Sequence, residues 1–327
     1  MNNPHDMHLI AKIGSEDVEQ EPIRAGFGRG LLAAAQRDDG IVGLCADLTE
    51  STKMLAFAEA FPERFVEIGV AEQNLVTVAA GMAAMGKRPF VSSYAAFCPG
   101  RCWEQIRTTI CLNDVPVTIA GSHAGVSVGP DGATHQMLED IALMRSLPNM
   151  IVVAPGDAVE AQKATEALSR VDKPSYLRLA REKTPIFTTE QTPFELGRAY
   201  NLWGGTDITL IGTGTMTYQC LVAAKQLQDE GIAAEVIHAP TIKPLDAATI
   251  LASVQKTGHV ITAEEAQING GLGGAIAELL SEEHPVPLKR IGMRDRFGES
   301  GKPEELLEAF GLTGKHIAKA AHDLLGR

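Results

Sequence analysis

The chain has 327 residues, and 45% of them are hydrophobic, which is enough for the cores of about two domains of 100–200 residues each. It carries 29 basic and 41 acidic residues, a formal net charge of −12. This excess of acid argues against nucleic acid or a membrane surface as the main partner, because both attract basic surfaces. A local basic pocket for a phosphate ester is still compatible with it.

The beginning of the chain, MNNPHDMHLI, lacks the basic and apolar regions of a secretory signal. Nor does any apolar run approach the ~20 residues of a membrane span. We expect a flexible tail over residues 1–20, because this segment is polar and aperiodic. The five cysteines form an odd set without zinc-ligand spacing, which favours unpaired thiols in a reducing cytoplasm and no metal site on this chain.

In the first half of the chain, short apolar runs alternate with longer helical patterns. The runs predict strands at residues 40–48, 64–69, 88–94, 115–121, 150–155 and 174–180. The patterns between them predict helices at 24–37, 71–85, 100–111, 136–145 and 158–169. Such alternation is typical of a mostly parallel sheet with helices on both faces.

The alternation lapses over residues 183–198, where proline, threonine and charged residues predict a linker. It then resumes with strands predicted at 207–214, 233–240, 258–265 and 286–293. The helices between them are predicted at 216–230, 246–256 and 271–281. The fold class is therefore α/β, with two doubly wound domains over 21–182 and 199–327.

Polar and aromatic residues follow four successive strands of the first domain. They are Asp47, Glu72, Tyr94 with Phe97, and His123. Ligands of open parallel sheets bind beyond the carboxyl ends of the strands, so these residues could converge on one rim. Taken singly they have plainer explanations: the helix dipole favours a glutamate such as Glu72 in a first turn, and the aromatic residues could be ordinary core.

A long loop, GSHAGVSVGPDGATHQ, occupies residues 121–136 and contains His123, Asp131 and His135. Loops of this length in compact domains are usually functional. Two imidazoles around a carboxylate suit hydrogen bonding to a polyol, with proton transfer near neutral pH. A second glycine-rich stretch, residues 267–280, opens a helix and could bind an anion or permit close packing or a subunit contact.

Five segments occur in a specific order: EIGVAEQN, SSYAAF, GSHAGVSVGPDGATHQ, LPNMIVVAPGD and TAEEAQINGGLGGAIAELL. Together they resemble the C-terminal half of transketolases, and most of all the second subunit of transketolases that are split over two polypeptides. The resemblance covers about residues 22–325. It implies a pyrimidine-binding domain for thiamine diphosphate over 21–182 and a transketolase C-terminal domain over 199–327.

The resemblance also implies cofactor contacts. Glu72 would hydrogen-bond a ring nitrogen of the aminopyrimidine and favour the imino tautomer, which removes the proton from the thiazolium carbon. An apolar setting disfavours the charged form of a carboxyl group, which suits such a shared proton. Phe97 would stack on the pyrimidine. Tyr94 would line the same wall, and Asp47 would lie at the cofactor and dimer interface.

Substrate contacts carry over in the same way. His123 and Asp131 match positions that contact the hydroxyl groups of the sugar, and His135 matches the histidine near the transferred two-carbon unit. The implied catalytic residues are Glu72, His123 and His135. Arg181 and Arg24 match contacts to the sugar phosphate. The segment AAFCPGRCWEQIR departs from the commoner GTF context, which leaves the acceptor sugar open.

The Gly-Asp-Gly motif with which the family binds Mg²⁺ and diphosphate is absent. The two Asp-Gly pairs stand in RDDG and PDGATHQ, and neither has that context. The resemblance therefore implies an N-terminal, diphosphate-binding partner subunit that mainly holds the Mg²⁺. It also implies self-association of this chain within an α2β2 heterotetramer with two active sites.

The implied function is that of a cytoplasmic transketolase of carbohydrate metabolism, as in the pentose phosphate pathway. It would transfer a two-carbon ketol unit from a ketose phosphate to an aldose phosphate, and only together with its partner. Alternatives are a subunit resembling deoxyxylulose phosphate synthase or the beta chain of a 2-oxoacid dehydrogenase, or a non-catalytic regulatory paralogue. The loop set His123, Asp131 and His135 favours transketolase over the dehydrogenase, while a non-phosphorylated or branched sugar stays open.

Overall fold

The computed structural model describes residues 7–326. In chain order, its strands are β1 (Gln20–Pro22), β2 (Ile41–Cys45), β3 (Phe65–Glu67), β4 (Arg88–Tyr94), β5 (Thr118–Ser122), β6 (Ile151–Val153), β7 (Ser175–Arg178), β8 (Lys183–Pro185), β9 (Tyr200–Trp203), β10 (Ile208–Gly212), β11 (Ala234–His238), β12 (Thr241–Lys243), β13 (Val260–Gln267) and β14 (Leu288–Met293). Its α-helices are α1 (Ile23–Ala35), α2 (Leu55–Ala60), α3 (Glu72–Ala84), α4 (Trp103–Gln105), α5 (Asp140–Arg145), α6 (Ala158–Leu168), α7 (Met216–Asp229), α8 (Ala247–Thr257), α9 (Leu272–Glu283), α10 (Pro303–Ala309) and α11 (Gly314–Leu325). Two 3₁₀ stretches, Pro62–Arg64 and Val126–Asp131, and a π-helix, Ile106–Cys111, complete the regular structure.

Two large sheets organise the described residues. The first has seven strands in the order β12-β6-β7-β5-β4-β2-β3, and the second has five in the order β14-β13-β10-β11-β9. All neighbours are parallel except β12 with β6 and β9 with β11, which are antiparallel. A small antiparallel pair, β1 with β8, lies apart from both. The α/β class with two mostly parallel sheets is thereby confirmed.

The central strands show why this chain forms parallel sheets. Every residue of β2, β5 and β10 is buried, as expected for strands covered by helices on both faces. Helices α1 and α6 pack closely on one face of the first sheet. Gly26 of α1 makes this approach possible, because a Cβ there would overlap the backbone of Ala158 at the start of α6.

The two large sheets are joined through the chain and through buried polar contacts. Strand β12 follows β11 of the second sheet, yet it pairs with β6 at the edge of the first. The imidazole of His238 lies 2.7 Å from the Glu160 carboxylate and 2.7 Å from the Thr217 hydroxyl. Arg178 donates to Asp140 at 2.8 Å and to the Glu265 carbonyl at 2.8 Å. These contacts fix the second sheet relative to the first.

The segment predicted as a flexible tail lies only partly within the described residues, since residues 1–6 fall outside them. Its described part is packed against the second domain, where Leu9, Ile13 and Val18 are buried. The Ile10 N–H also donates to the Phe187 carbonyl at 3.1 Å. The expectation of a loose segment fails for residues 7–20 because three widely spaced apolar side chains anchor it. The domain boundaries themselves stay predictions.

Two helices of the first domain differ from their predicted extents. The predicted helix 100–111 is a turn followed by α4 and the π-helix, where the Thr108 and Thr109 hydroxyls donate to carbonyls four residues back. Such bonds compete with regular helical turns. The predicted helix 136–145 begins only at Asp140, because the Gln136 side chain binds loop carbonyls instead. None of the helices within residues 7–326 has the length and apolar character to cross a membrane.

Candidate active site

The carboxyl ends of four neighbouring strands form the rim of the first sheet. Strands β3, β2, β4 and β5 lie side by side, and Glu72, Asp47, Tyr94 with Phe97, and His123 follow them. Asp47 and His123 adopt left-handed backbone conformations, with φ of 58° and 59°. Such conformations are uncommon outside glycine and concentrate at functional sites.

Glu72 is the first residue of α3 and is 1% exposed. Its Oε2 accepts a hydrogen bond of 2.7 Å from Nη1 of Arg101. The apolar setting expected from the sequence is therefore interrupted by the guanidinium group of Arg101. Arg101 reaches Glu72 because the chain turns back over residues 95–102, directly after Phe97.

Phe97 supplies an aromatic face beside this carboxylate. The Cζ atom of Arg101 lies over the ring, 5.0 Å from its centroid. The guanidinium is thus a flat N–H donor that rests on Phe97 and pairs with Glu72. A protonated aminopyrimidine is also flat and also presents N–H groups. The site therefore fits the ring implied by the resemblance, with Glu72 and Phe97 as the residues that would hold it.

Tyr94, Phe97, His123 and His135 form one aromatic cluster. The rings of Tyr94 and His123 are stacked with centroids 3.7 Å apart, and His135 meets the Phe97 ring edge-on at 5.3 Å. Tyr94 and Phe97 are themselves stacked at 6.2 Å. The structure thus brings together the predicted cofactor wall and both histidines of the loop.

His123 is buried, and its Nδ1 lies 2.8 Å from the Ser122 hydroxyl. Burial, together with the nearby charges of Arg24 and Arg181, lowers the pKa of His123 to about 3. The imidazole is neutral at neutral pH. It can donate and accept hydrogen bonds, but it cannot serve as an imidazolium acid there, which narrows the proton-transfer role expected for it.

Arg24 and Arg181 form a local pair of basic residues in this acidic chain. The Nε of Arg24 donates to the Arg181 carbonyl at 3.2 Å, and Nη1 of Arg181 donates to the Val128 carbonyl at 2.8 Å. Burial lowers the pKa of Arg24, with a further contribution from Arg181. Arg181 also forms an ion pair of 2.8 Å with Glu182. Two guanidinium groups held near His123 suit a bound anion.

The loop of residues 121–136 is fastened to the second domain. Gln136 donates to the Val126, Gly129 and Glu299 carbonyls at 3.1, 3.1 and 2.9 Å. His135 is partly buried, with Nδ1 2.8 Å from the Thr134 hydroxyl. Asp131 is exposed at the end of the 3₁₀ stretch. The loop thus offers both a buried and an accessible imidazole.

Asp47 lies exposed on the rim, outside the aromatic cluster. Its backbone N–H donates to Oε1 of Glu67 at 2.6 Å, and the Gly69 N–H donates to the same oxygen at 2.9 Å. Glu67 therefore shapes the turn that carries Asp47. An exposed position suits the interface role implied by the resemblance.

Two residues of this region, Glu265 and Arg101, were not identified from the sequence. Glu265 accepts from the Ser127 N–H at 2.6 Å and from the Thr215 hydroxyl at 2.8 Å, which ties the loop to the residue just before α7. Arg101 was visible only as part of an unusual segment. The sequence signal that could have identified Arg101 is its positive charge, four residues after Phe97, the predicted ring-binding residue. No local pattern indicated Glu265, whose partners lie far away in the chain.

The glycine-rich stretch 267–280 has an internal partner. Glu264 accepts from the Leu272 N–H at 2.7 Å and the Gly273 N–H at 2.8 Å, so its carboxylate occupies the N-terminus of α9. Burial raises the pKa of Glu264 to about 7. The anion at this helix N-terminus is thus the chain's own Glu264, and Gly271 permits its close approach, because a Cβ there would overlap the carboxylate.

Among residues 7–326, no group of three or more His, Cys, Asp or Glu side chains is placed to hold a metal ion. The described site comprises an aromatic cluster beside Glu72, a loop with two histidines, and a pair of arginines.

Comparison with known proteins places these features in a family. Residues 20–186 match the transketolase pyrimidine-binding domain, and residues 197–317 match the transketolase C-terminal domain. The 6-deoxy-6-sulfo-D-fructose transketolase subunit SqwH of Clostridium sp. (strain MSTE9) is 41% identical over 327 residues, covering 100% of this chain and 99% of that protein. One subunit of the apulose-4-phosphate transketolase of Phocaeicola vulgatus is 37% identical over 299 residues, covering 91% of this chain and 96% of that protein.

A solved structure gives the same result. The structure described as a split gene transketolase, inactive beta4 tetramer, superposes with a TM-score of 0.86 at 42% identity, covering 94% of this chain and 99% of that one. Both domains and their order thus agree with these relatives. The chain belongs to the transketolase family: it carries the pyrimidine-binding domain followed by the C-terminal domain, and it is similar to C-terminal subunits of split transketolases.

Proposed function

We propose that this chain is the catalytic, pyrimidine-binding subunit of a transketolase that moves a two-carbon ketol unit from a ketose phosphate to an aldose phosphate. Membership of the family implies thiamine diphosphate as the cofactor. The observation that carries the proposal is the buried Glu72 at the start of α3, beside the face of Phe97. When bound, the cofactor supplies the thiazolium carbon that carries the two-carbon unit.

The residues of this chain bind and orient the reacting groups. Glu72 would hydrogen-bond the ring nitrogen of the aminopyrimidine, Phe97 would hold the face of that ring, and Tyr94 would line the wall beside it. His123 stays neutral, so it orients a sugar hydroxyl by hydrogen bonding, with Asp131 as a second hydroxyl contact. His135, which is partly exposed next to the same wall, is the residue we assign to proton exchange at the substrate hydroxyl.

The arginine pair indicates an anionic sugar. Arg24 and Arg181 would bind the charged group of the substrate with charge-assisted hydrogen bonds. The names of the two relatives include a sulfo-sugar and a sugar phosphate, and both groups are anions that suit this pair. A sugar phosphate is our first assignment, and a sulfonated or branched sugar is an outcome that substrate screening would reveal.

The partner is the second part of the proposal. The sequence lacks the Gly-Asp-Gly motif, so an N-terminal subunit would bind the diphosphate and Mg²⁺. We propose an α2β2 assembly in which Asp47 lies near the interface. The relative described as an inactive beta4 tetramer supports self-association of this chain without its partner.

Five buried, unpaired thiols support a cytoplasmic location.

The test is Glu72→Gln in the assembled enzyme, with coupled assay of ketol transfer. We expect turnover to fall by about 10²–10⁴-fold, the range typical for loss of acid–base assistance. Glu283→Gln, at the far end of α9, is the matched control and should keep full turnover. Normal ketol transfer by Glu72→Gln would refute the assignment, and an inactive wild-type complex over a panel of sugar phosphates and sulfonates would favour the regulatory paralogue.

A further inference from the structure

We propose that Arg101 occupies the place of the aminopyrimidine in the unloaded subunit and must leave Glu72 and Phe97 when the cofactor binds. Arg101 would thus set the cofactor affinity of the assembled enzyme by competing for the ring site. The inference rests on the proposed function, because it takes Glu72 and Phe97 as the ring-binding pair.

The contacts of Arg101 are those that the ring itself would make. Its Nη1 donates to Oε2 of Glu72 at 2.7 Å, and its Cζ lies 5.0 Å from the centroid of Phe97. A guanidinium is planar, presents N–H donors along its edge and stacks on aromatic faces. Because Arg101 binds both groups at once, the face of Phe97 that it covers is the one directed toward Glu72.

Burial explains why the site needs such a substitute. Glu72 is 1% exposed, and a buried carboxylate without a partner is strongly disfavoured. In the absence of the ring, Arg101 satisfies this charge. When the ring binds to the same carboxylate and the same face of Phe97, Arg101 loses both contacts.

The Arg101 side chain can also leave the site toward solvent. It is 49% exposed, whereas the Glu72 side chain is 2% exposed. Arg101 extends from the turn over residues 95–102, which follows strand β4. Solvation of the released guanidinium therefore offsets part of the lost ion pair, which makes the exchange reversible.

Arg107 provides a matched comparison, because it lies six residues further along the same segment. It is exposed within the π-helix, and its side chain does not take part in any hydrogen bond or ion pair among the described residues. A substitution there changes the net charge of the segment by the same amount without touching Glu72 or Phe97.

The first experiment asks whether the pair exists in this chain by itself. We expect Arg101→Met, which keeps an apolar stem, to lower the midpoint of thermal unfolding in the wild-type background and to have no such effect in the Glu72→Gln background. Equal shifts in both backgrounds would show that Arg101 and Glu72 are not coupled and would overturn the proposal.

The second experiment measures the cofactor in the complex with the N-terminal subunit. Thiamine diphosphate is titrated at saturating Mg²⁺, and binding is followed by fluorescence of Trp103, two residues from Arg101. We expect Arg101→Met to lower the half-saturating concentration about fivefold, which corresponds to about 1 kcal/mol. Arg101→Lys, which keeps a charge but lacks the planar fork, should lower it less, and it serves as the test if Arg101→Met does not fold. Arg107→Ala should leave it unchanged.

Two results would overturn the proposal. An unchanged half-saturating concentration in Arg101→Met would show that Arg101 does not compete with the ring, and a raised one would show that it helps to hold the cofactor. Either result would refute the competition by Arg101 without refuting the proposed function. If the proposed function itself were wrong, Glu72→Gln would leave both turnover and the cofactor titration as in the wild type.

Discussion

Glu72 and Glu264 are both buried glutamates beside the N-terminus of a helix, yet they are held in different ways. Glu264 accepts from two backbone N–H groups of α9 and is sealed inside the second domain. Glu72 is held by one half-exposed side chain from a turn. A carboxylate satisfied by backbone groups has no partner to release, whereas one paired with a half-exposed guanidinium can exchange it for a ligand. The two acids differ in their partners, and this difference sets the structural Glu264 apart from Glu72, to which we assign a function.

The two regions also differ in how their stability depends on pH. His123 on the rim and Glu264 in the second domain change the free energy of unfolding in opposite directions as the pH rises. On the rim, the pKa of His123 is about 3, below its ordinary value of 6.5. Its stabilising contribution is complete above pH 6.5 and is lost as the pH falls toward 3, because the unfolded chain then binds the proton more readily.

The largest predicted effect follows from this lowered pKa. Between pH 7 and pH 4, His123 should account for a loss of about 3–4 kcal/mol in the free energy of unfolding. His123→Gln, which does not titrate, should show a correspondingly weaker acid dependence. Urea unfolding of both proteins at the two pH values measures the difference. Parallel stability curves for the two proteins would contradict a neutral, buried imidazole.

The sealed carboxylate should show the reverse dependence. Burial raises the pKa of Glu264 to about 7 from 4.5, so its contribution is complete below pH 4.5 and is lost as the pH rises through 7. Relative to Glu264→Gln, the wild type should lose about 2–3 kcal/mol of unfolding free energy between pH 5 and pH 7.5. The same urea series checks this. A wild type that gains stability relative to the variant over this range would show that the two N–H groups outweigh burial.

A smaller effect is expected at the arginine pair. Arg181→Ala should raise the KM for a phosphorylated acceptor by about 10–100-fold, which matches the loss of one charge-assisted contact of about 1.5–3 kcal/mol. Ribose 5-phosphate and free ribose are the paired substrates. An equal effect on both sugars would show that Arg181 does not contact the phosphate.

The smallest effect concerns Asp131, which is exposed at the end of its 3₁₀ stretch. Asp131→Ala should change the unfolding free energy by no more than about 0.5 kcal/mol, as is usual for an exposed site. It should nevertheless raise the KM for the ketose donor, because one hydroxyl contact is lost. Thermal unfolding measures the effect on stability, and titration of the ketose donor measures the effect on KM. A large loss of stability would assign Asp131 to the loop structure.

Much of the rim could be predicted from the sequence, because strand ends and the residues after them are local features. The apolar runs before Asp47, Glu72, Tyr94 and His123 placed these residues at one edge of a parallel sheet, and the structure has the four strands side by side. The clustering of both histidines with the aromatic wall agrees with that placement.

What could not be predicted depends on contacts distant in sequence or on returning turns. Arg101 reaches Glu72 only through the turn after Phe97, and no periodic pattern encodes that turn. Strand β12 joins the first sheet although it lies within the second domain in the chain. The packing of Leu9 and Ile13 was hidden by the polar residues around them. In each case, tertiary contacts override the local composition.

The central claim is that this chain carries half of a thiamine diphosphate site. Its most direct test is calorimetry of thiamine diphosphate with Mg²⁺ on this chain alone and on the chain mixed with its N-terminal partner, with ketol transfer assayed in parallel. The account predicts weak binding and no turnover for the chain alone, because the ring contacts must offset the cost of immobilising the whole cofactor. Tight binding and turnover should appear in the mixture. Micromolar binding with turnover by this chain alone would contradict the account.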